Sequence, residues 1–295
     1  MRRALAFAFL FSAAVAAPDL ACAWGRTGHA AVAQIALTYL NPKAAAAVDA
    51  LLAVDDDDLT AKDFIARASW ADALVSARPE TAQWHFVDIQ LDDPDVDAAC
   101  GGQMPVADAP KQNCLVRRLE TFERELADPG TTPAARLVAF KFVLHLIGDL
   151  HQPLHTADNQ DLSGSCVRVA YGRAGTVDLL KYWDTIAVET IEPDAAKLAS
   201  RLSAEITPAD RAAWESGHLE EWALESFDVA RTTAYAIGSE QACASDSAPV
   251  FLPKGYDAAA RAATALQLKR AGVRLAFTLN RILGSTAPSA TKDIL

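Results

Sequence analysis

The segment His145-Leu-Ile-Gly-Asp149-Leu-His151-Gln-Pro-Leu-His155 holds three of the six histidines in a chain of 295 residues, with an aspartate among them. Imidazole nitrogen and carboxylate oxygen are donors that zinc prefers. On a helix, His145 and Asp149 stand at i and i+4, one above the other on a single face. Pro153 disrupts helical continuation and lets His155 approach the same point from another direction. The spacing predicts part of a metal site whose other ligands come from elsewhere in the chain. His151, two residues from Asp149, points off that face and reads as a supporting or surface group.

Three further patterns supply matching donors. Trp70-Ala-Asp72 presents a carboxylate on a helix, and Trp84-His85-Phe86-Val-Asp88 places a histidine in an extended run. The third depends on processing. Arg2 and Arg3 precede the apolar run Ala4 to Ala17, and Ala21-Cys-Ala23 fits a small-residue cleavage site. Residues 1–23 therefore read as a secretory signal peptide, too short to span a membrane. Its removal would leave 24–295 as one domain, secreted or periplasmic, beginning Trp24-Gly-Arg-Thr-Gly-His29. A free α-amine has a pKa of about 7.7–8 and can meet a metal in neutral form. With the Trp24 carbonyl it would chelate, and His29 would close the ring.

Taken in this order, Trp24…His29, Trp70-Ala-Asp72, His85-Phe86, Gly148-Asp149…Gln152-Pro-Leu-His155 and Trp183-Asp184 resemble the zinc-dependent single-strand nucleases of fungi, plants and bacteria (the S-one/P-one type). The bacterial zinc phospholipases C are a more distant likeness. The resemblance implies an all-α domain around a multinuclear zinc cluster, with a short β-hairpin at most. It places Asp72, His85, His145 and Asp149 around a first zinc. Trp24, His29 and the bridging Asp149 would hold a second, and His155 with Asp184 would serve a third. Asp72 and Asp149 carry the catalytic expectation. The implied reaction is hydrolysis of single-stranded DNA or RNA by a zinc-bound hydroxide attacking phosphorus, with removal of 3′-phosphates from nucleotides alongside. Phe86 looks like the base-stacking residue and Asp88 like a base-edge acceptor. Stacking suits any unpaired base.

Three departures from the family pattern bear on function. A histidine is usual four residues before the aspartate of Trp-Asp; here Leu180 stands there and cannot bind zinc. Leu162-Ser-Gly-Ser-Cys166 replaces a Gly-Gly-Asn, and Val75 replaces a common basic residue. Two zincs are thus expected, and a third only if another group, such as His151, Asp158 or Asp161, completes it. A phospholipase C-like hydrolase and a non-catalytic zinc-binding extracellular protein are the alternatives.

The elements that must position these donors read mostly as helix. Apolar residues recur at helical spacing over 28–40, 43–53, 60–77, 112–127, 133–152, 180–191, 194–205, 218–238 and 256–283. Thr60 and Asp63 suggest a capping-box start for the third of these. Trp84 to Leu91 reads as a strand, and Val167 to Tyr171 as half of a hairpin. Beyond Cys22, the four cysteines suggest two disulfides in an exported chain. Cys100 and Cys114 bracket a Gly/Pro-rich loop and pair, which leaves Cys166 for Cys243. The net charge of −11 argues against a broad basic surface for duplex nucleic acid. It leaves phosphate substrates open, because bound metals are often the largest local charges. Asp55 to Asp58 reads as a solvated loop, with calcium binding as an alternative. No membrane span follows the leader, and a monomer is expected.

Overall fold

The computed structural model describes residues 24–101, 113–171, 175–237, 243 and 248–284, so the expected signal peptide, residues 1–23, lies outside the described residues. Among those described, the helices are α1 (Arg26–Tyr39), α2 (Pro42–Leu52), α3 (Phe64–Arg67), α4 (Trp70–Val75), α5 (Val96–Cys100), α6 (Leu115–Ala127) and α7 (Pro133–Asp149). They continue with α8 (Leu179–Lys181), α9 (Ala187–Ile191), α10 (Ala195–Glu205), α11 (Pro208–Trp214), α12 (Leu219–Val229) and α13 (Tyr256–Leu283). The chain is mostly helical, and among the described residues no helix is long and apolar enough to cross a membrane.

Helix α7 is the axis. Pro133 occupies its first turn and the Thr132 hydroxyl accepts from the Ala135 amide, a start that fixes where the helix begins. From Ala139 to Asp149 every residue is buried, so the helix is surrounded rather than laid on a surface. Helix α6 packs on it with an apolar stripe of Leu115, Leu119, Phe122 and Leu126. Helices α1 and α13 cross closely because Gly272 has no side chain; a Cβ there would stand 2.4 Å from Ile35 Cγ2.

The strands are short. β1 (Ile89–Gln90) runs parallel to β2 (Ala157–Asp158), pairing Ile89 with Ala157. β3 (Arg168–Tyr171) and β4 (Gly175–Asp178) form the expected hairpin, and β5 (Val250–Phe251) adds a parallel third strand. Disulfides join Cys100 to Cys114 and Cys166 to Cys243.

Several boundaries differ from the periodic pattern. The expected helix 60–77 is two helices, broken at Ala68 and Ser69, and its cap is Asp63, whose carboxylate accepts from the Ile65 and Ala66 amides. Trp84 to Leu91 is strand only at Ile89–Gln90; Pro79–His85 is a 3₁₀ turn that buries Thr81 and His85, and the strand-like alternation of buried and partly exposed residues runs from His85 to Gln90. Helix α7 stops at Asp149 because the residue before Pro153 is pushed away from helical geometry. The expected helices 180–191 and 218–238 each contain a π-turn, at Tyr182–Ile186 and Ala230–Ala234. The short α5 and α11 carry too few apolar positions to show a period.

Candidate metal centre

Four donor atoms meet behind the last turn of α7. His85 Nδ1 lies 2.9 Å from Asp149 Oδ2 and 3.7 Å from Asp72 Oδ1. His145 Nε2 lies 3.1 Å from Asp149 Oδ2, 3.4 Å from Asp72 Oδ1 and 3.0 Å from His85 Nδ1. The tautomer of His145 follows from its other nitrogen. Nδ1 is 2.6 Å from the Ala68 carbonyl, which can only accept, so the proton sits there and Nε2 turns a lone pair inward. Two imidazoles and two carboxylates therefore share one buried space. Such a group calls for a cation at its centre. The break between α3 and α4 is what turns the Ala68 carbonyl toward this histidine.

Asp149 divides its oxygens. Oδ2 faces His85 and His145, while Oδ1 faces His29 Nε2 at 3.2 Å. His29 comes from α1 and stacks on His145, ring centroids 4.0 Å apart. His29, His145 and Asp149 form one compact donor group; Asp72, His85 and His145 form another. Gly148 permits the approach, since a Cβ there would stand 2.8 Å from His29 Nδ1. Trp24 is buried beside them, its indole N–H donating to the Gly148 carbonyl at 2.8 Å. Buried His29 Nδ1 and Nε2, His85 Nε2 and Asp149 Oδ1 lack hydrogen-bond partners among the described residues. Native proteins rarely leave such atoms unanswered unless a ligand takes them.

Charge points the same way. Burial alone would lower the His145 pKa, but Asp149 and Asp72 override it and hold the ring well above the ordinary value. Asp149 would be raised by burial, yet His145 and its neighbours hold it well below the carboxylate range. The pocket favours positive charge at its centre, whether carried by a proton or by an ion.

The third expected pair is thinner. His155 Nδ1 donates to the His85 carbonyl at 2.8 Å, leaving Nε2 aimed at Asp184 Oδ1, 3.6 Å away. Gln152 donates its amide N–H to the same Asp184 oxygen and accepts from the Leu154 amide. Burial pushes the Asp184 carboxyl up to about 6 despite His155. Leu180 is buried in the core. None of the three candidate replacements joins this pair. Asp158 accepts from the Ser163 and Asp161 amides and from Gln90, and Asp161 accepts from Tyr235 and the Gly164 amide. His151 points the other way.

Two buried networks support the centre; the sequence gives His151 of the second a supporting or surface role, but not its partners, and gives no sign of the first. Asp55 and Asp57 are not the solvated loop expected from their run of acids. Arg67 Nε forms an ion pair with Asp55 Oδ2 at 2.8 Å, Arg67 Nη1 donates to Asp57 at 2.9 Å, and Lys141 reaches both. Trp70 Nε1 donates to Asp57 at 2.7 Å. This lattice brackets the Ala68–Ser69 break. The second network holds His151, whose Nδ1 donates to the Ile147 carbonyl at 2.8 Å while Nε2 accepts from Arg274 at 3.0 Å. Burial first, and Arg274 after it, hold His151 well below its ordinary pKa. The unfolded chain takes a proton on this residue below about pH 6.5 that the folded chain refuses, so the contribution to stability falls as pH drops, by about 1.4 kcal/mol per unit. His151→Gln is expected to flatten that slope in urea unfolding of chelator-treated protein between about pH 7.5 and about pH 5.5. Equal losses in variant and parent would rule it out.

A family model described as S1/P1 Nuclease matches residues 24–284. The chain belongs to the S1/P1 nuclease family. Nuclease P1 of Penicillium citrinum is 26% identical over 287 residues, covering 89% of this chain and 98% of its own length. Endonuclease 3 of Arabidopsis thaliana is 26% identical over 287 residues, with 90% of each chain covered. Nuclease S1 of Aspergillus oryzae is 30% identical over 181 residues, covering 59% of this chain and 58% of its own. Membership of the S1/P1 nucleases favours the nuclease reading over the phospholipase one.

Beside the donor cluster of this S1/P1 chain, Phe86 stacks on His155 with centroids 4.2 Å apart and rings within 16°. Asp88 follows two residues on, bonded to Gln83 and Ser163 at 3.0 Å each. Gln83 carried no sequence signal; Gln152 and Ser163 lie in segments the sequence singles out, but their partners depend on loops that close only in three dimensions.

Proposed function

We propose that the mature chain is an exported, zinc-dependent endonuclease that hydrolyses phosphodiester bonds in single-stranded DNA or RNA, with 3′-nucleotidase activity at the same centre. The observation that carries this is the convergence of His85 Nδ1, His145 Nε2, Asp72 Oδ1 and Asp149 Oδ2 on one buried point. Asp72, His85, His145 and Asp149 would hold one zinc. Asp149 through its other oxygen, His29, and Trp24 through its amine and carbonyl would hold a second. When bound, paired zinc ions bring the pKa of water toward 7 and clamp attacking and leaving oxygens.

The protein supplies the rest. The Ala68 carbonyl fixes the His145 tautomer, and the His85 carbonyl fixes that of His155. Phe86 and Asp88 hold an unpaired base beside the centre, which disfavours duplex substrate. Cleavage of the leader exposes the Trp24 amine, so export and site assembly are one event; the two disulfides suit an oxidising compartment. With Gln152 bonded to Asp184 and Leu180 apolar, two zincs per chain fit the residues better than three.

Elemental analysis beside digestion of single-stranded DNA and short-chain phosphatidylcholine tests this. Two zincs per chain, DNA cleavage abolished by chelator and restored by zinc, and intact lipid are expected. Leu180→His is expected to raise the zinc count. Bound zinc without turnover of any phosphoester would establish the non-catalytic alternative; lipid turnover without DNA turnover would sink the nuclease assignment.

A further inference from the structure

Asp88 is gripped from two sides, by Gln83 and by Ser163. Phe86 and Asp88 flank the fully buried Val87, and Phe86 has extended backbone angles of φ −127° and ψ 147°. Residues two apart in an extended run project to the same side. Both Phe86 and Asp88 are partly exposed, so a base stacked on Phe86 would turn its edge toward the Asp88 carboxylate.

That carboxylate is held from both ends. Gln83 Nε2 donates to Oδ2 and the Ser163 hydroxyl donates to Oδ1, each at 3.0 Å. Every carboxylate oxygen has two acceptor positions, so each keeps one free. Ser163 is buried and adopts φ 55°, a left-handed conformation that glycine takes more readily. Its amide donates to Asp158 Oδ1 at 2.9 Å, which fastens the turn beneath Asp88. A side chain is kept at a backbone position suited to glycine, and its hydroxyl contacts Asp88.

We infer that Ser163, together with Gln83, is a positioning residue that fixes Asp88 as a two-oxygen acceptor and thereby selects guanine at this position of a single-stranded substrate. Single-stranded bases are read on their Watson–Crick edges. Guanine presents N1–H and N2–H side by side, matching two carboxylate oxygens. Adenine and cytosine set one donor beside a lone pair that would face an oxygen. Uracil and thymine offer a single N–H between two carbonyls. A carboxylate free to rotate could serve any of these with one oxygen; a pinned one rewards the paired donors.

The inference rests on Phe86 and Asp88 being base-binding residues, and its test does not need turnover. Binding of the 5′-monophosphates of guanosine, adenosine, cytidine and uridine to the zinc-loaded mature protein is measured by calorimetry, beside cleavage of oligonucleotides carrying one variable base. Guanosine monophosphate is expected to bind on the order of tenfold more tightly than the others. Ser163→Ala is expected to bring the four within about twofold of one another at unchanged zinc content. Ser163→Gly relieves the left-handed backbone, so it is expected to lose the preference while keeping thermal stability, which separates selectivity from folding. Equal affinities in the parent, or a preference kept in Ser163→Ala, would overturn the inference. Cleavage without base preference overturns it while leaving the nuclease reading intact. Guanine-selective binding without cleavage upholds it while the nuclease reading fails.

Discussion

Asp149→Asn is expected to strip the protein of zinc and to lower phosphodiester hydrolysis by on the order of a thousandfold or more, beyond the 10–100-fold that loss of an outer-shell partner costs. Asp149 is fully buried, with one oxygen 3.2 Å from His29 and the other 2.9 and 3.1 Å from His85 and His145. The amide keeps the shape and removes the charge. It also replaces one acceptor by an N–H₂ group that can donate to an imidazole lone pair, which satisfies the pocket without an ion. Zinc content by elemental analysis and the rise in melting temperature on adding zinc are the readouts. A ligand that binds only the folded state stabilises by RT ln(1 + [L]/Kd), so the rise should vanish with the affinity. A variant with full zinc content and an unchanged thermal rise would remove Asp149 from the bridging role.

Asp55→Ala is expected to cost about 3–5 kcal/mol of stability, the range for breaking a buried ion pair by removing one partner. Asp55 forms ion pairs with Arg67 at 2.8 Å and Lys141 at 3.3 Å, with its side chain wholly buried. Its loss leaves two cations sharing the partly exposed Asp57. Arg67 closes α3, and the next residue is Ala68, whose carbonyl orients His145. Zinc affinity should therefore fall along with stability, although Asp55 touches no donor of the centre. Asp55→Ala combined with Lys141→Met should recover part of the loss, because the uncompensated charge is what costs most. Urea unfolding with parallel zinc titration checks both effects. A loss under about 1 kcal/mol would show the lattice to be solvent-screened.

The donors of the candidate centre were legible in the sequence because histidine and aspartate at helical or near-helical spacing are uncommon in an apolar background. Their number and kind pointed to a metal without any knowledge of the fold. Helix positions were legible for the same reason as in most helical proteins, since an apolar face repeats with the turn of the helix. The breaks were not. Residues 60–77 keep helical periodicity across Ala68 and Ser69, and only the buried Asp55–Arg67–Lys141 lattice decides that the chain bends there. The π-turn that carries Trp183 and Asp184 leaves no compositional trace either.

The sequence by itself determined the residue types able to bind a cation, the helical class and the even set of cysteines, all of them set by local chemistry and periodicity. Only the tertiary structure decided that His29, Asp72, His85, His145 and Asp149 come together, that Asp149 turns an oxygen to each side, and that Gln152 joins His155 at Asp184. It also decided that Ser163 grips Asp88, 75 residues away in the chain. Such contacts join segments far apart in sequence, so their geometry follows from how the helices pack and not from any one stretch of residues.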